Sequence, residues 1–180
     1  MIFTATPLTG AFVIDPEPHA DMRGMFARVW CRDEIAARGL DTRVAQCSSS
    51  FNTRRGTLRG MHYQAPPFSE VKFVRCTRGA IHDVIVDLRT DSVTYLRHFA
   101  VELTQDNRRA LYIPAGVAHG FQTLVDDTEV FYQMTEVFSA AHVRGVRWND
   151  PTFGIRWPIA DPIILERDAT YPDFAATVLV

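Results

Sequence analysis

Two histidines stand where an imidazole could move a proton. His62 lies in Arg59-Gly60-Met61-His62-Tyr63-Gln64, and His119 follows the turn signal Pro114-Ala115-Gly116. Histidine suits acid–base work near neutral pH, although a structural histidine bonded to a carbonyl looks the same in sequence. Lys72 alternates with Val74 and Cys76, an odd companion for an apolar strand face. It reads either as a lysine guarding a sheet edge or as a cation set against a developing oxyanion. Tyr132 brings a phenol, and Asp168, in Glu166-Arg167-Asp168, reads by itself as an ordinary carboxylate in an irregular C-terminal segment. If strand alternation turns His62, Lys72 and Tyr132 into one barrel interior, a proton acceptor, a cation and a phenol meet at a single site.

A metal is the competing use of the same histidines. His62, Gln64, Glu70 and His119 resemble a thinned-out version of the two cupin metal motifs, whose three histidines and one glutamate suit iron, manganese or nickel. Gln64 stands where the second imidazole should coordinate, so no metal and no other cofactor is expected.

These residues sit in short β runs punctuated by Gly and Pro. Phe73–Thr77, Ile81–Leu88 and Phe99–Leu103 are rich in branched and aromatic residues, and Arg78-Gly79 reads as a hairpin turn between the first two. Leu111–Ile113 leads into Ala118–Leu124, and Thr128–Phe138 reads as one long strand. Alternation puts Val130, Tyr132, Met134 and Phe138 on its more apolar face, so Tyr132 is expected to point inward. In Arg59–Gln64, His62 shares a face with Gly60 and Gln64. A short helix near Arg32–Arg38 is stopped by Gly39. Many closely spaced strands with turn signals between them predict a sandwich or barrel, and an antiparallel jelly roll fits best.

The bulk properties exclude several classes. The chain has 180 residues and shows no repeat, linker or low-complexity tract, so a single domain over 1–180 is expected. A formal net charge of −2 gives no field that draws the chain to nucleic acid or an anionic membrane. No apolar run approaches the roughly 20 residues that span a bilayer, and the start does not read as a signal peptide. Cys31, Cys47 and Cys76 are odd in number and lack metal-ligand spacing, as expected of reduced thiols in a cytoplasmic protein.

Several segments, in order, resemble the dTDP-4-dehydrorhamnose 3,5-epimerases of the cupin superfamily. They are Asp21-Met22-Arg23-Gly24-Met25-Phe26, Gly56-Thr57-Leu58-Arg59-Gly60-Met61-His62-Tyr63-Gln64, Glu70-Val71-Lys72, Arg78 to Val84, Val86 to Arg89, Pro114 to Phe121 and Trp148-Asn149-Asp150-Pro151. The resemblance runs from about Asp21 to Asp173. It implies a mainly β, cupin-type double-stranded β-helix or jelly roll with a few short helices. It also implies metal-free epimerisation of a nucleotide-linked, by default dTDP-linked, 4-keto-6-deoxyhexose. By position, His62 matches the base, Asp168 its paired carboxylate, Tyr132 the acid and Lys72 the residue that neutralises the enolate. Arg59 and His119 match substrate contacts. Arg23, Phe26, Gln46 and Arg167 match nucleotide or diphosphate contacts, and Phe138 matches an aromatic that stacks on the base. The family works as a homodimer with substrate contacts crossing between subunits.

Four positions depart from the family pattern. Arg28 and Val143 stand in place of glutamates near the nucleotide, Ser48 in place of an asparagine, and Leu165 in place of a serine. Arg28 offers only donors where a glutamate would accept the thymine imide, so a CDP-linked sugar competes with a dTDP-linked one as the expected substrate. The same residues are also compatible with an epimerase acting at carbon 3 or carbon 5 alone, with a metal-dependent cupin, and with a sugar-binding module that lacks catalysis.

Overall fold

A computed structural model describes residues 1–174. In chain order the strands are β1 (Ile2–Ala5), β2 (Phe12–Asp15), β3 (His19–Asp21), β4 (Gly24–Phe26), β5 (Gln46–Asn52), β6 (Thr57–Gln64), β7 (Lys72–Arg78) and β8 (Ala80–Asp87). They continue as β9 (His98–Thr104), β10 (Ala110–Ile113), β11 (Val117–Thr123), β12 (Thr128–Met134), β13 (Val143–Gly145) and β14 (Ile163–Ile164). Two short helices, α1 (Arg32–Ala36) and α2 (Glu166–Ala169), complete the described elements.

The strands form two facing sheets, ordered β1-β2-β10-β7-β12-β5 and β13-β6-β11-β8-β9, with β14 added parallel to β6. The β3–β4 hairpin stands apart from both. This mainly β arrangement is the jelly roll that the turn spacing predicted.

Alternation explains which residues fill the space between the sheets. Val74 and Cys76 of β7, Ile81 and Ile85 of β8, Leu111 and Ile113 of β10, Phe121 of β11 and Val130 of β12 form one buried cluster. The second sheet has an apolar outer face as well, where Met61, Val84, Val86 and Ala118 are covered by Val146 and Phe153. β8 is therefore buried on both faces, which is why it reads as a near-continuous apolar run. The outer face of the first sheet carries Phe73 and Tyr112 beneath Ile35 of α1.

Three sequence expectations are corrected. Arg78-Gly79 does not close a hairpin, because β7 pairs with β10 and β12 while β8 pairs with β9 and β11 in the other sheet. Gly79 (φ +78°) turns a corner between sheets, where a Cβ would lie 2.5 Å from the Thr128 hydroxyl and 3.1 Å from its Cα. Period-two patterning is the same on both sides of a hairpin and of a corner, so it does not distinguish them. The strand expected over Thr128–Phe138 ends at Met134, and Phe138 lies beyond it, largely exposed. The segment holding Asp168 is not irregular but forms α2, with the aspartate buried.

Candidate active site

At one end of the sandwich the apolar filling gives way to a cavity of about 780 Å³. Lys72 from β7, Tyr132 and Met134 from β12, and Gln46, Ser48 and Ser50 from β5 line it on one side. Arg59, His62 and Gln64 from β6 and His119 and Phe121 from β11 face them, and Phe138, Val143, Leu165, Arg167 and Asp168 close the rim. The alternating Ser48 and Ser50 put small polar side chains where the buried cluster of the sandwich carries Val, Ile and Leu. That substitution of small for bulky residues leaves room for a ligand.

His62 and His119 are brought opposite one another by the antiparallel register of β6 and β11, in which their Cα positions pair. The strands approach closely there: a Cβ on Gly60 would lie 2.4 Å from the Gly120 Cα and 2.9 Å from the His119 carbonyl oxygen. Gly60 has φ +129°, a conformation that costs a glycine little. Its N–H donates to Asp168 Oδ2 at 3.3 Å.

Asp168 Oδ1 lies 2.9 Å from His62 Nε2 and also accepts from Arg167 Nε at 3.1 Å. Burial disfavours the charge on Asp168, but the hydrogen bonds from His62, Arg167 and the Gly60 N–H outweigh it and hold the carboxyl below its usual range. An ionised carboxylate only accepts, so the shared proton belongs to Nε2, and Nδ1 is the basic nitrogen of neutral His62. The His62 side chain keeps 27% of its surface exposed while that of Asp168 keeps 4%. The imidazole is accessible and the carboxylate bonded to it is not.

Lys72 is no edge lysine. β7 lies between β10 and β12, and the side chain is buried, with Nζ 3.0 Å from Glu70 Oε1 and donating to the His62 carbonyl oxygen at 3.2 Å. Tyr132 is partly buried against the core. Burial first, and the Asp83 carboxylate second, push its phenol well above the usual range, so it holds its proton. His119 Nε2 lies 2.7 Å from Asp83 Oδ1 in a fully buried pair, with its ring 6.0 Å from that of Tyr132 and nearly perpendicular to it. Arg59 Nε donates to Asn52 Oδ1 at 2.8 Å. Gln46 Oε1 accepts from the Phe138 N–H at 2.8 Å, fixing that segment at the rim.

Arg23, Phe26 and Arg28 do not reach this cavity. Arg23 and Phe26 lie on the exposed β3–β4 hairpin, where Arg23 pairs with Asp21. Arg28 pairs with Glu34 of α1 at 2.9 Å, so its guanidinium is engaged away from the cavity. Sequence reasoning missed Asp83 and Asn52, which hold His119 and Arg59. The available signal was an aspartate on the same strand face as Ile81 and Ile85. A metal fits the motif-like set poorly. Gln64 shares its amide N–H groups among Phe68 O, Val137 O and Glu70 Oε2, while its Oε1 accepts from the Ser139 N–H.

The family model described as dTDP-4-dehydrorhamnose 3,5-epimerase matches residues 5–176. The dTDP-4-dehydrorhamnose 3,5-epimerase of Sinorhizobium fredii is 42% identical over 177 residues, covering 96% of this chain and 89% of that protein. The crystal structure of the enzyme of that name from Bacillus anthracis, with TDP and PPi bound, superposes with a TM-score of 0.93 at 38% identity, covering 96% of this chain and 99% of that one. A 3'-monoepimerase from Streptomyces bikiniensis in complex with dTDP-quinovose gives a TM-score of 0.86 at 33% identity, covering 93% and 85% of the two chains.

Proposed function

We infer the reaction from a premise the similarities supply: the chain belongs to the dTDP-4-dehydrorhamnose 3,5-epimerase family and is a carbohydrate epimerase. Its proposed substrate is a dTDP-linked 4-keto-6-deoxyhexose. His62 Nδ1 takes the hydrogen from a carbon beside the ketone. Asp168 keeps the other ring nitrogen protonated and stabilises the imidazolium that forms, as in other His–Asp pairs. The electron pair moves onto the ketone oxygen, where the Lys72 ammonium meets the negative charge. Tyr132 returns a proton from the opposite face, which inverts the carbon, and proton exchange with solvent resets both groups. No step uses a metal.

The observation that carries this reading is the His62–Asp168 pair at 2.9 Å in a cavity also lined by Lys72 and Tyr132. Pure binding has no need for a base and an acid facing each other across one cavity. Arg59, His119, Gln46, Ser48, Phe138 and Arg167 serve as substrate contacts at the cavity and its rim.

The enzyme works as a homodimer, and the β3–β4 hairpin carries Arg23 and Phe26 to the partner's substrate. The supporting observation is that Met22, Met25 and Phe26 stand exposed on a hairpin paired with neither large sheet. The cytoplasm is the proposed compartment, since Cys31, Cys47 and Cys76 are all unpaired.

Incubation with dTDP-4-keto-6-deoxyglucose in deuterium oxide, followed by NMR of carbons 3 and 5, tests the reaction. Label at both carbons is expected. Label at one would identify a single-carbon epimerase, and label at neither would overturn the reading.

A further inference from the structure

The glutamate that a cupin metal motif would spend on a metal is engaged here with a lysine. Glu70 lies just before β7 and lines the cavity, and its side chain is 8% exposed beside a Lys72 side chain that is 10% exposed. Oε1 is 3.0 Å from Lys72 Nζ, the one ion pair that Lys72 makes among the described residues. Oε2 accepts from Gln64 Nε2 at 3.3 Å, and Gln64 is itself anchored to the backbone at Phe68, Val137 and Ser139. An ammonium has three N–H donors. Nζ is ion-paired with Glu70 and donates one N–H to the His62 carbonyl oxygen at 3.2 Å, which leaves N–H capacity for a ligand. The other charged or titratable groups lining the cavity are Arg59, His62, Tyr63, His119, Tyr132, Arg167 and Asp168, so the cavity holds two further cations, Arg59 and Arg167.

We propose that Glu70, held by Gln64, is a positioning residue that fixes the Lys72 ammonium beside the His62 strand with one N–H directed at the enolate oxygen. The inference rests on the reading of Lys72 as the enolate's partner. Glu70 touches no reacting atom and acts only through Lys72. A buried flexible lysine lacking its carboxylate would lose its fixed geometry, and misplacement of about 1 Å can cost roughly 10²-fold in rate. Gln64 then has a reason to be an amide, since it donates to the carboxylate that a histidine motif would have turned toward a metal.

A double-mutant cycle tests this on the full-length enzyme with Glu70→Gln, Lys72→Met and the pair combined. Glu70→Gln keeps the size but removes the charge and turns one of the two accepting oxygens into an N–H donor. It should lower kcat by about 10- to 100-fold, with KM and calorimetric dTDP affinity unchanged within roughly twofold. In the Lys72→Met background the same substitution should change kcat by less than about twofold. Equal losses in both backgrounds would overturn the proposal by showing a role independent of Lys72, and so would a Glu70→Gln enzyme with normal kcat. Should Glu70→Gln fail to bind dTDP, Glu70→Asp carries the test. It keeps the charge with shorter reach, and its kcat should fall while dTDP affinity holds. Full activity of Glu70→Asp would overturn the positioning role. An unsubstituted enzyme that exchanges neither carbon would sink the reading of Lys72 itself, independently of the Glu70 variants.

Discussion

His62 and Tyr132 sit on opposite sides of the cavity, and their substitutions separate proton removal from inversion. His62→Asn should abolish deuterium exchange beside the ketone while leaving dTDP binding largely intact, because an amide does not accept the proton at useful rates. A positioned base is worth roughly 10²–10⁴-fold. Asp168→Asn should be milder, since the imidazole remains and loses only its charged partner. Near-normal exchange in His62→Asn, read by NMR, would show that another group is the base. Tyr132→Phe keeps the ring packed and removes the hydroxyl, so His62 can still remove a proton and return it to the same face. Residual exchange without net inversion is expected there. Equal loss of both would reduce Tyr132 to a packing role.

β6 and β11 hold the two histidines in register only because Gly60 and Gly120 let their backbones touch. Gly60→Ala places a methyl 2.4 Å from the Gly120 Cα, and the neighbour is backbone, so one strand must move. The shift would also break the Gly60 N–H bond to Asp168. The expected cost is about 3 kcal/mol or more in urea unfolding, combining overpacking with positive-φ strain, together with loss of exchange activity. Gly154→Ala is the control. Its φ is +62° with nothing within 4 Å of a new Cβ, so only the strain of about 1 kcal/mol should be felt. Similar costs at the two sites would mean that the β6–β11 approach is not tight.

Across the whole molecule, charged groups outside the cavity bear on stability and on the proposed assembly. Asp87, at the end of β8, is buried, which disfavours its charge. Hydrogen bonds from Arg89, Ser92 and Thr94 more than offset this, and its pKa falls to about 2 from 3.8. Because the folded value is depressed, the stabilisation is full above pH 3.8 and is lost as pH falls toward 2. The difference in pKa corresponds to about 2 kcal/mol. Asp87→Asn should therefore cost at least that much near neutral pH, and the gap to the unsubstituted protein should narrow between about pH 4 and about pH 2. A gap independent of pH would assign the effect to packing. If the hairpin reaches the partner's substrate, mixing Arg23→Ala chains with His62→Asn chains should restore up to about a quarter of full activity, because half the dimers are mixed and each has one intact site. No recovery after subunit exchange, confirmed by sedimentation, would place Arg23 at its own chain's site or at none.

Much of this was legible in sequence because local chemistry fixes it. Period-two alternation with Gly and Pro turns determined a β sandwich, and it turned Tyr132 inward since strand faces follow from covalent geometry. The ordered motifs around His62, Lys72 and His119 determined the family and the type of chemistry. Other features depended on contacts between residues distant in the chain, which no local pattern encodes. Tertiary structure decided that Gly79 turns a corner between sheets rather than a hairpin, because pairing partners are chosen by the whole sandwich. It decided that Asp168 meets His62 across 106 positions of sequence, and that Asp83 holds His119. It decided as well that Lys72 is enclosed, since a strand becomes central only when β10 and β12 arrive on either side. Glu70 shows the division most plainly: its sequence setting resembled that of a metal ligand, and only the folded neighbourhood of Lys72 and Gln64 revealed what its carboxylate holds.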